Sequence, residues 1–392
     1  MASPVPVLFL LADTGSGHRA AATAVQQALE RGFPGAFTPI FCDPLSGPEA
    51  HPWVRRLVTL YGPTVRRAPW LWSMLYHGTD RHPIASLLGW LVRTFAGRPV
   101  RQAVTRHGPR LLVSFHPLLG GCVADVRRVT GTRAMTVVTD LVTGHCSWRR
   151  NDADVVVVPS RAMQAWYRRA GSAGNRCVDL GLPVAAAFGA GPLPDAARRR
   201  LRRRLGLGGS RFVVVLTGGG EGAAKLGRQA RALVRRLPDI DVVAICGRNE
   251  RVRRSLERFA LRTGARLTVR AYVDNMADWV RSADVLVTKA GPGTIAEATC
   301  CATPLLITWH VPGQERGNAE VLVAAGAGRR VRGIQHLLRE VRDLRLDPGA
   351  VAAMRAASAR LARPEAADDI AVLIARLATT APSIEEEIKC EV

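Results

Sequence analysis

Lysine is nearly missing from this chain: of 55 basic residues only Lys225, Lys289 and Lys389 are lysines, and the rest are arginines. An arginine bias of this kind follows from base composition as readily as from function, so where the charge lies matters more than its size. Also missing is any apolar run approaching the roughly 18 residues that a membrane-spanning helix needs. The longest candidates, such as residues 84–92, are about half that length, which excludes a spanning helix. Met1 to Leu11 lacks the basic segment of a secretory signal, and Asp13 follows directly, so no signal peptide is expected. Eight cysteines occur without a C-x-x-C pair, which argues against a disulfide framework and against a zinc site, and fits reduced thiols. The expected location is cytoplasmic, at most peripheral on the inner face of the cell membrane.

What is present is a chain of 392 residues, 47% hydrophobic, whose apolar residues fall in short, regularly spaced runs. That is enough for two buried cores. The pattern predicts strands at 5–11, 37–42, 111–115, 134–139, 155–158 and 177–180, then at 212–216, 242–246, 267–271, 285–288, 305–308 and 328–331. Helical stretches separate them. Alternation of this kind implies parallel sheets with right-handed crossovers. Residues 181–210, rich in Gly, Pro and Ala, break the rhythm. The expected division is therefore an N-terminal unit 1–205, a second unit 206–362, a helix 363–382 that could pack back on the first unit, and an acidic tail 383–392. Arg198–Arg204 reads as a solvated helix face beside the linker. Two doubly wound units in tandem leave a cleft between the C-terminal ends of their strands.

Three glycine-rich loops follow predicted strands and would face that cleft. The first is Asp13-Thr14-Gly15-Ser16-Gly17-His18-Arg19-Ala20. Its glycines permit a tight turn at a helix start, where anionic oxygen is favoured. Alone it could be a dinucleotide fingerprint, with Asp43 as the ribose acid. A histidine inside that turn is unusual for the fingerprint and could instead act as a general base on a hydroxyl. The second loop, Thr217-Gly218-Gly219-Gly220-Glu221-Gly222, offers unobstructed backbone N–H groups to a diphosphate and lacks the G-K-[ST] ending of an ATP-binding loop. The third is Thr288-Lys289-Ala290-Gly291-Pro292-Gly293-Thr294-Ile295-Ala296-Glu297, in which a carboxylate early in a helix could accept both hydroxyls of a ribose. Shortly after it, Pro312-Gly313-Gln314-Glu315 sets an amide beside a carboxylate, a pair suited to sugar hydroxyls.

With these motifs in order, the chain resembles the galactosyldiacylglycerol synthase branch of glycosyltransferase family 28. The resemblance runs through D-T-G-S-G-H-R-A at 13–20, S-F-H-P at 114–117, V-T-D-L-V-T-G-H at 138–145, the 157–160 and 218–222 segments, C-G-R-N at 246–249, T-K-A-G-P-G-T-I-A-E at 288–297 and P-G-Q-E at 312–315. It implies a GT-B fold, two Rossmann-like domains facing each other across a cleft, and an inverting transfer of galactose or glucose from a UDP-sugar to diacylglycerol. His18 would be the base that deprotonates the acceptor. Gly219 and Gly220 would neighbour the diphosphate, Arg248 the nucleobase, Gly293, Thr294 and Glu297 the nucleotide, and Gln314 and Glu315 the donor sugar. Asp140 and His145 would lie on the acceptor side, where they could orient His18 or the acceptor. Gly17, Trp70, Trp72 and Trp148 would serve the acceptor or the membrane.

No metal or cofactor is implied, because helix N-termini and backbone N–H groups can meet the departing UDP. Two D-x-D strings, at 152–154 and 239–241, sit at strand starts, away from the ligand-facing ends. Where the family tends to have Pro-Thr-Trp and another aromatic after the histidine, this chain has Cys146-Ser147-Trp148-Arg149, a departure that bears on the acceptor more than on catalysis.

Residues 51–110 carry Trp53, Trp70, Trp72 and Trp90, with ten arginines against the single acid Asp80. Tryptophan interleaved with arginine suits an anionic membrane surface. The charge alone would also fit nucleic acid, but no module for it is recognisable and none is expected to bind. Two rivals share the fold: a transferase acting on a polyprenyl-linked lipid, and a sugar-nucleotide epimerase, which would have no use for residues 51–110. A nonenzymatic basic membrane- or nucleic-acid-binding protein is the rival from another class, and in it His18, Glu297 and Gln314 would be dispensable.

Overall fold

The computed structural model describes residues 3–13, 16–80, 82–149, 152–169, 176–219 and 225–380. Among these residues twelve strands form two sheets of six, and every pairing is parallel. The first sheet contains β1 (Val5–Leu10), β2 (Phe37–Cys42), β3 (Leu111–Ser114), β4 (Arg133–Val137), β5 (Val155–Val158) and β6 (Cys177–Asp179), in the order β2-β1-β3-β4-β5-β6. The second contains β7 (Val213–Thr217), β8 (Asp241–Ile245), β9 (Leu267–Arg270), β10 (Val285–Lys289), β11 (Leu305–Trp309) and β12 (Gly328–Arg330), in the order β12-β11-β10-β7-β8-β9. Each strand overlaps its predicted run: the central strands are covered on both faces and need unbroken apolar runs, while the edge strands β2, β6, β9 and β12 are only partly buried.

Alternation along each strand feeds two cores per sheet. Leu8 and Leu10 point to one face of the first sheet, with Leu112 and Val156, while Val7, Phe9, Val113 and Val157 point to the other. In the second sheet Val213 and Val215 oppose Val214 and Leu216 in the same way. Strand order reverses between β1 and β3 in one sheet and between β7 and β10 in the other. At such a switch point the two connecting helices leave on opposite faces, so the loops diverge and open a crevice. The four loops at these two points carry His18, His116, Gly219 and Lys289.

Side chains divide the halves earlier than composition does. Val184, Phe188 and Leu207 are buried in the core of the second sheet, and Arg202 is tied to Ser282 and Asp284. The junction therefore lies near Gly181, and not at 205. The run Arg198–Arg204 is only partly solvated, since Arg198 and Arg202 both reach the Asp284 carboxylate. The chain crosses back after residue 362. The helix Ala366–Thr379 packs along the helix Ser16–Gly32 and adds Ile370 and Ile374 to the core that holds Val7 and Phe9. Residues 383–392 lie outside the described residues.

Three helices, Pro52–Arg67, Pro69–Thr79 and His82–His107, form an arm inserted between β2 and β3. Their inner faces pack Val54, Val58, Leu88 and Val92 on the first core. Their outer faces expose Trp53, Leu57, Leu60, Trp70, Met74, Leu75, Leu87 and Trp90. No helix among the described residues is long and apolar enough to cross a membrane. Both D-x-D strings are structural: Asp154 accepts from the Ala134 N–H and pairs with Arg127, Asp241 accepts from the Gly208 N–H, and Asp239 pairs with Arg345.

Gly181 is where the two crossings touch. It has φ of 92° and a β-carbon there would lie 2.5 Å from Cβ of Arg363. Gly181→Ala combines a left-handed backbone with an overpacked contact, and should destabilise the chain by about 2–4 kcal/mol, read by urea unfolding.

Candidate active site

His18 stands in the first turn of the helix that follows β1. The adjacent strand β3 ends beside it, so the carbonyl of Phe115 lies 2.7 Å from His18 Nδ1. The Thr139 hydroxyl is 2.9 Å from the same nitrogen. A carbonyl can only accept, so Nδ1 carries the ring proton and Nε2 is left with its lone pair. Burial lowers the His18 pKa to about 4 against the opposing pull of the Phe115 hydrogen bond, so the imidazole is neutral throughout the physiological range. His116 packs edge-on, with ring centroids 4.7 Å apart, and accepts from the Leu118 N–H through its own Nδ1. Gly17 is exposed with open space where a side chain would be, and leaves the approach to the helix start clear.

The hydrogen bonds that fix His18 thus come from Phe115 and Thr139, and not from Asp140 or His145. Asp140 turns the other way. It is buried and accepts from Trp148 Nε1 at 2.7 Å through one oxygen and from Gln314 Nε2 at 2.9 Å through the other. Burial raises its pKa to about 6 even though both hydrogen bonds favour the carboxylate. Trp148 is fully buried: it presents no surface to lipid, and wedges between His18 and Asp140, its ring centroid 6.5 Å from that of His18. Gly144 makes room for it, because a β-carbon there would stand 2.7 Å from Trp148 Cδ1.

His145 anchors the arm. Its Nε2 lies 3.3 Å from Thr79 Oγ1, and its Nδ1 meets the Ser147 side chain and backbone N–H. Asp80 caps the Cys146 N–H at 2.6 Å. The ligand atoms of Asp80, His145 and Cys146 fall within 4.8 Å of one another, a spacing that a metal ion could bridge. In the arm itself Trp70 is exposed, whereas Trp72 is half-buried against Tyr61, with centroids 4.8 Å apart, and belongs to the packing of the arm.

On the other side of the cleft, β7 and β10 are neighbours, so their two loops face each other. Gly219 has φ of 77°, and a β-carbon on it would sit 3.6 Å from Lys289 Cε; one on Gly291 would sit 2.7 Å from Lys289 Nζ. The lysine passes close to Gly291 and in van der Waals range of Gly219, and pairs there with the buried Glu315 carboxylate. Glu315 also accepts from the Val311 N–H, which fixes the turn before it. Gly293 and Thr294 form the first turn of the helix Pro292–Cys300, whose cap Gly291 supplies no side chain, so their N–H groups point at the cleft uncapped. Glu297 follows one turn later. Its carboxylate makes no hydrogen bond among the described residues, and burial raises its pKa to about 7. Arg248 is exposed after β8, 6.0 Å from the Tyr272 ring. Gly220 lies outside the described residues.

Sequence reasoning left four contributors without a role: the Phe115 carbonyl, Thr139, His116 and Lys289. All four sit in motifs quoted for the resemblance, and Lys289 carried a further signal as one of three lysines in an arginine-rich chain. What joins the halves was illegible. The 138–145 and 312–317 motifs meet, with Gln314 on Asp140 and Gly317 so close to Val142 that a β-carbon would be 3.0 Å away.

Residues 18–184 match the model of a family described as monogalactosyldiacylglycerol (MGDG) synthase, and residues 213–370 match the glycosyltransferase family 28 C-terminal domain. Monogalactosyldiacylglycerol synthase 1, chloroplastic, of Arabidopsis thaliana is 31% identical over 377 residues, which is 93% of this chain and 69% of that protein. The chloroplastic enzyme of Spinacia oleracea is 30% identical over 86% of this chain and 66% of its own length. The chain thus spans about two thirds of these relatives. Among solved structures, MurG of Acinetobacter baumannii superposes with a TM-score of 0.61 at 17% identity, covering 95% of this chain and all of that one, which shows the shared GT-B fold.

Glu297 generates a pH prediction. A carboxylate accepts both hydroxyls of a diol more strongly than the neutral acid does, so if Glu297 takes the ribose, as the resemblance implies, nucleotide affinity should rise with pH up to about 7 and level off above it. His18, neutral above about 4, adds no limb in that range. Glu297→Gln should flatten the limb near 7 and weaken UDP binding by roughly 10–100-fold, measured by calorimetry from pH 5.5 to 8.5.

Proposed function

Because the chain belongs to the monogalactosyldiacylglycerol synthase family of glycosyltransferases, we propose that it moves galactose from UDP-galactose to the free hydroxyl of diacylglycerol, with inversion at the anomeric carbon. The observation that carries the reading is the locked tautomer of His18: with Nδ1–H donated to Phe115, Nε2 is the ring nitrogen left free to take a proton. Nε2 takes the proton of the acceptor hydroxyl while that oxygen attacks the anomeric carbon and the bond to the UDP oxygen breaks. The negative charge that grows on UDP is met by Lys289 and by the uncapped N–H groups at Gly293 and Thr294. Glu297 holds the ribose, and Gln314 and Glu315 read the sugar. Asp140 holds Gln314 in place, and Arg248 attends the base.

Diacylglycerol does not leave a bilayer readily, so the acceptor half must reach the surface. The arm supports this reading. Trp53, Trp70 and Trp90 are 68%, 66% and 57% exposed, and Leu57, Leu60, Met74 and Leu87 fill the helical spacings beside them. Arg55, Arg56, Arg93 and Arg98 are exposed on the same segment. Apolar side chains set shallowly among anionic headgroups, with arginines beside them, make a peripheral membrane contact without a spanning helix.

Turnover of labelled UDP-galactose and UDP-glucose, each with diacylglycerol in anionic vesicles, tests the reaction. A galactolipid from UDP-galactose is expected, and no labelled lipid from either donor would sink it. His18→Ala should lower kcat by about 10²–10⁴ with UDP affinity kept. Replacing Trp53, Trp70 and Trp90 together by Ser should cut sedimentation with anionic vesicles at least tenfold and leave UDP binding unchanged; unaltered sedimentation would remove the arm from the membrane contact.

A further inference from the structure

The arm does more than present an outer face. Tyr76 lies on the inner side of the helix Pro69–Thr79 and is buried. Its ring fills the space beside Gly313 of the opposite half: a β-carbon on Gly313 would stand 2.4 Å from Tyr76 Cδ1 and 2.9 Å from both Cε1 and Cγ. Gly313 has φ of 83°, so glycine is required there twice, by the backbone and by the ring. The next two residues are Gln314 and Glu315, and both are held from elsewhere. Gln314 donates to Asp140, while Glu315 accepts from the Val311 N–H and pairs with Lys289.

The ring is itself braced. The His145 imidazole lies edge-on to it at 5.2 Å, Trp72 is 6.4 Å away, and Tyr61 supports Trp72 at 4.8 Å. Burial raises the pKa values of Tyr61 and Tyr76, as does the negative charge of Asp140 on both and of Glu315 on Tyr61, so the two phenols are neutral beside these carboxylates. A stack of aromatic side chains therefore runs from the arm to the turn that presents the sugar-reading pair. The groups that hold the nucleotide, Glu297, Gly219 and the first turn of the helix Pro292–Cys300, sit on other loops.

We propose that Tyr76 is a positioning residue for the donor sugar, its ring setting the 312–315 turn and through it the placement of Gln314 and Glu315. The inference rests on the donor assignment above and adds to it a residue of the acceptor half that acts on the sugar and not on the nucleotide. Without the ring the turn can relax into the vacated space, and hydrogen bonds displaced by about an ångström lose most of their contribution. The phenol hydroxyl has no hydrogen-bond partner among the described residues, so it is the ring that matters.

Calorimetric titration of the full chain with UDP and, separately, with UDP-galactose tests this without an acceptor. Tyr76→Ala should weaken UDP-galactose binding by roughly 10–100-fold while the UDP affinity stays within about threefold. Tyr76→Phe should restore both. Gly313→Ala, which drives a β-carbon into the ring, should lower UDP-galactose affinity in the same selective way. If Tyr76→Ala unfolds by circular dichroism, Tyr76→Leu takes its place, with a smaller selective loss expected. An unchanged ratio of the two affinities overturns the proposal, as does a parallel loss of both ligands from a folded variant, or a Tyr76→Phe protein as defective as Tyr76→Ala. A wild-type chain that binds UDP but not UDP-galactose would overturn the donor assignment itself, whereas normal wild-type binding with an unchanged ratio removes only the role of Tyr76.

Discussion

The buried carboxylate of Asp140 is the joint on which the cleft depends. One oxygen takes the indole N–H of Trp148 from its own half, and the other takes the amide of Gln314 from the opposite half. The group is isolated enough from water that its pKa rises to about 6, a net penalty on the ionised form of about 3 kcal/mol. Such a group is tolerated where both donors are delivered at hydrogen-bonding distance, and Gln314 delivers one of them from the opposite half. Gly144, Gly313 and Gly317 are the complement on the backbone side: the first leaves room for Trp148 of its own segment, the others for Tyr76 and Val142 of the opposite half.

From that joint the chemistry divides along the halves. The first half supplies a histidine whose tautomer is chosen by the end of a neighbouring strand. The second supplies a lysine paired with Glu315, a helix start without a cap and an acid with no hydrogen-bond partner among the described residues. Each of these lies at a reversal of strand order, where adjacent strands send their loops apart. The pKa values follow from the same enclosure. Burial keeps His18 neutral, as its proposed role requires, and raises the Glu297 pKa to about 7, so that the charge state of this acid answers to pH in the physiological range.

The proposed lipid acceptor and the exposed tryptophans of the arm belong to the same half of the chain. The arm is inserted between β2 and β3, and β3 ends at the segment whose Phe115 carbonyl fixes His18. Thr79 and Asp80 hold the arm to His145 and Cys146, where this sequence departs from the usual proline.

The sequence by itself determined the two sheets and the identity of the loops at their ends. Buried parallel strands must be apolar throughout, and glycines and a histidine at a helix start follow from local backbone geometry, so all of these are written in contiguous residues. It misjudged what depends on partners distant in the chain. The arginine run 198–204 looks solvated until Asp284 is brought to it, and the junction looks late until Val184 and Phe188 are seen in the second core. Trp148 looks like a surface aromatic until it is seen in the core with Leu8 and Leu112, and Lys289 has no role until Glu315 is brought to it. Tertiary structure alone decided these, because hydrogen bonds, ion pairs and burial are properties of neighbours in space, and a sequence names a residue without naming its neighbours.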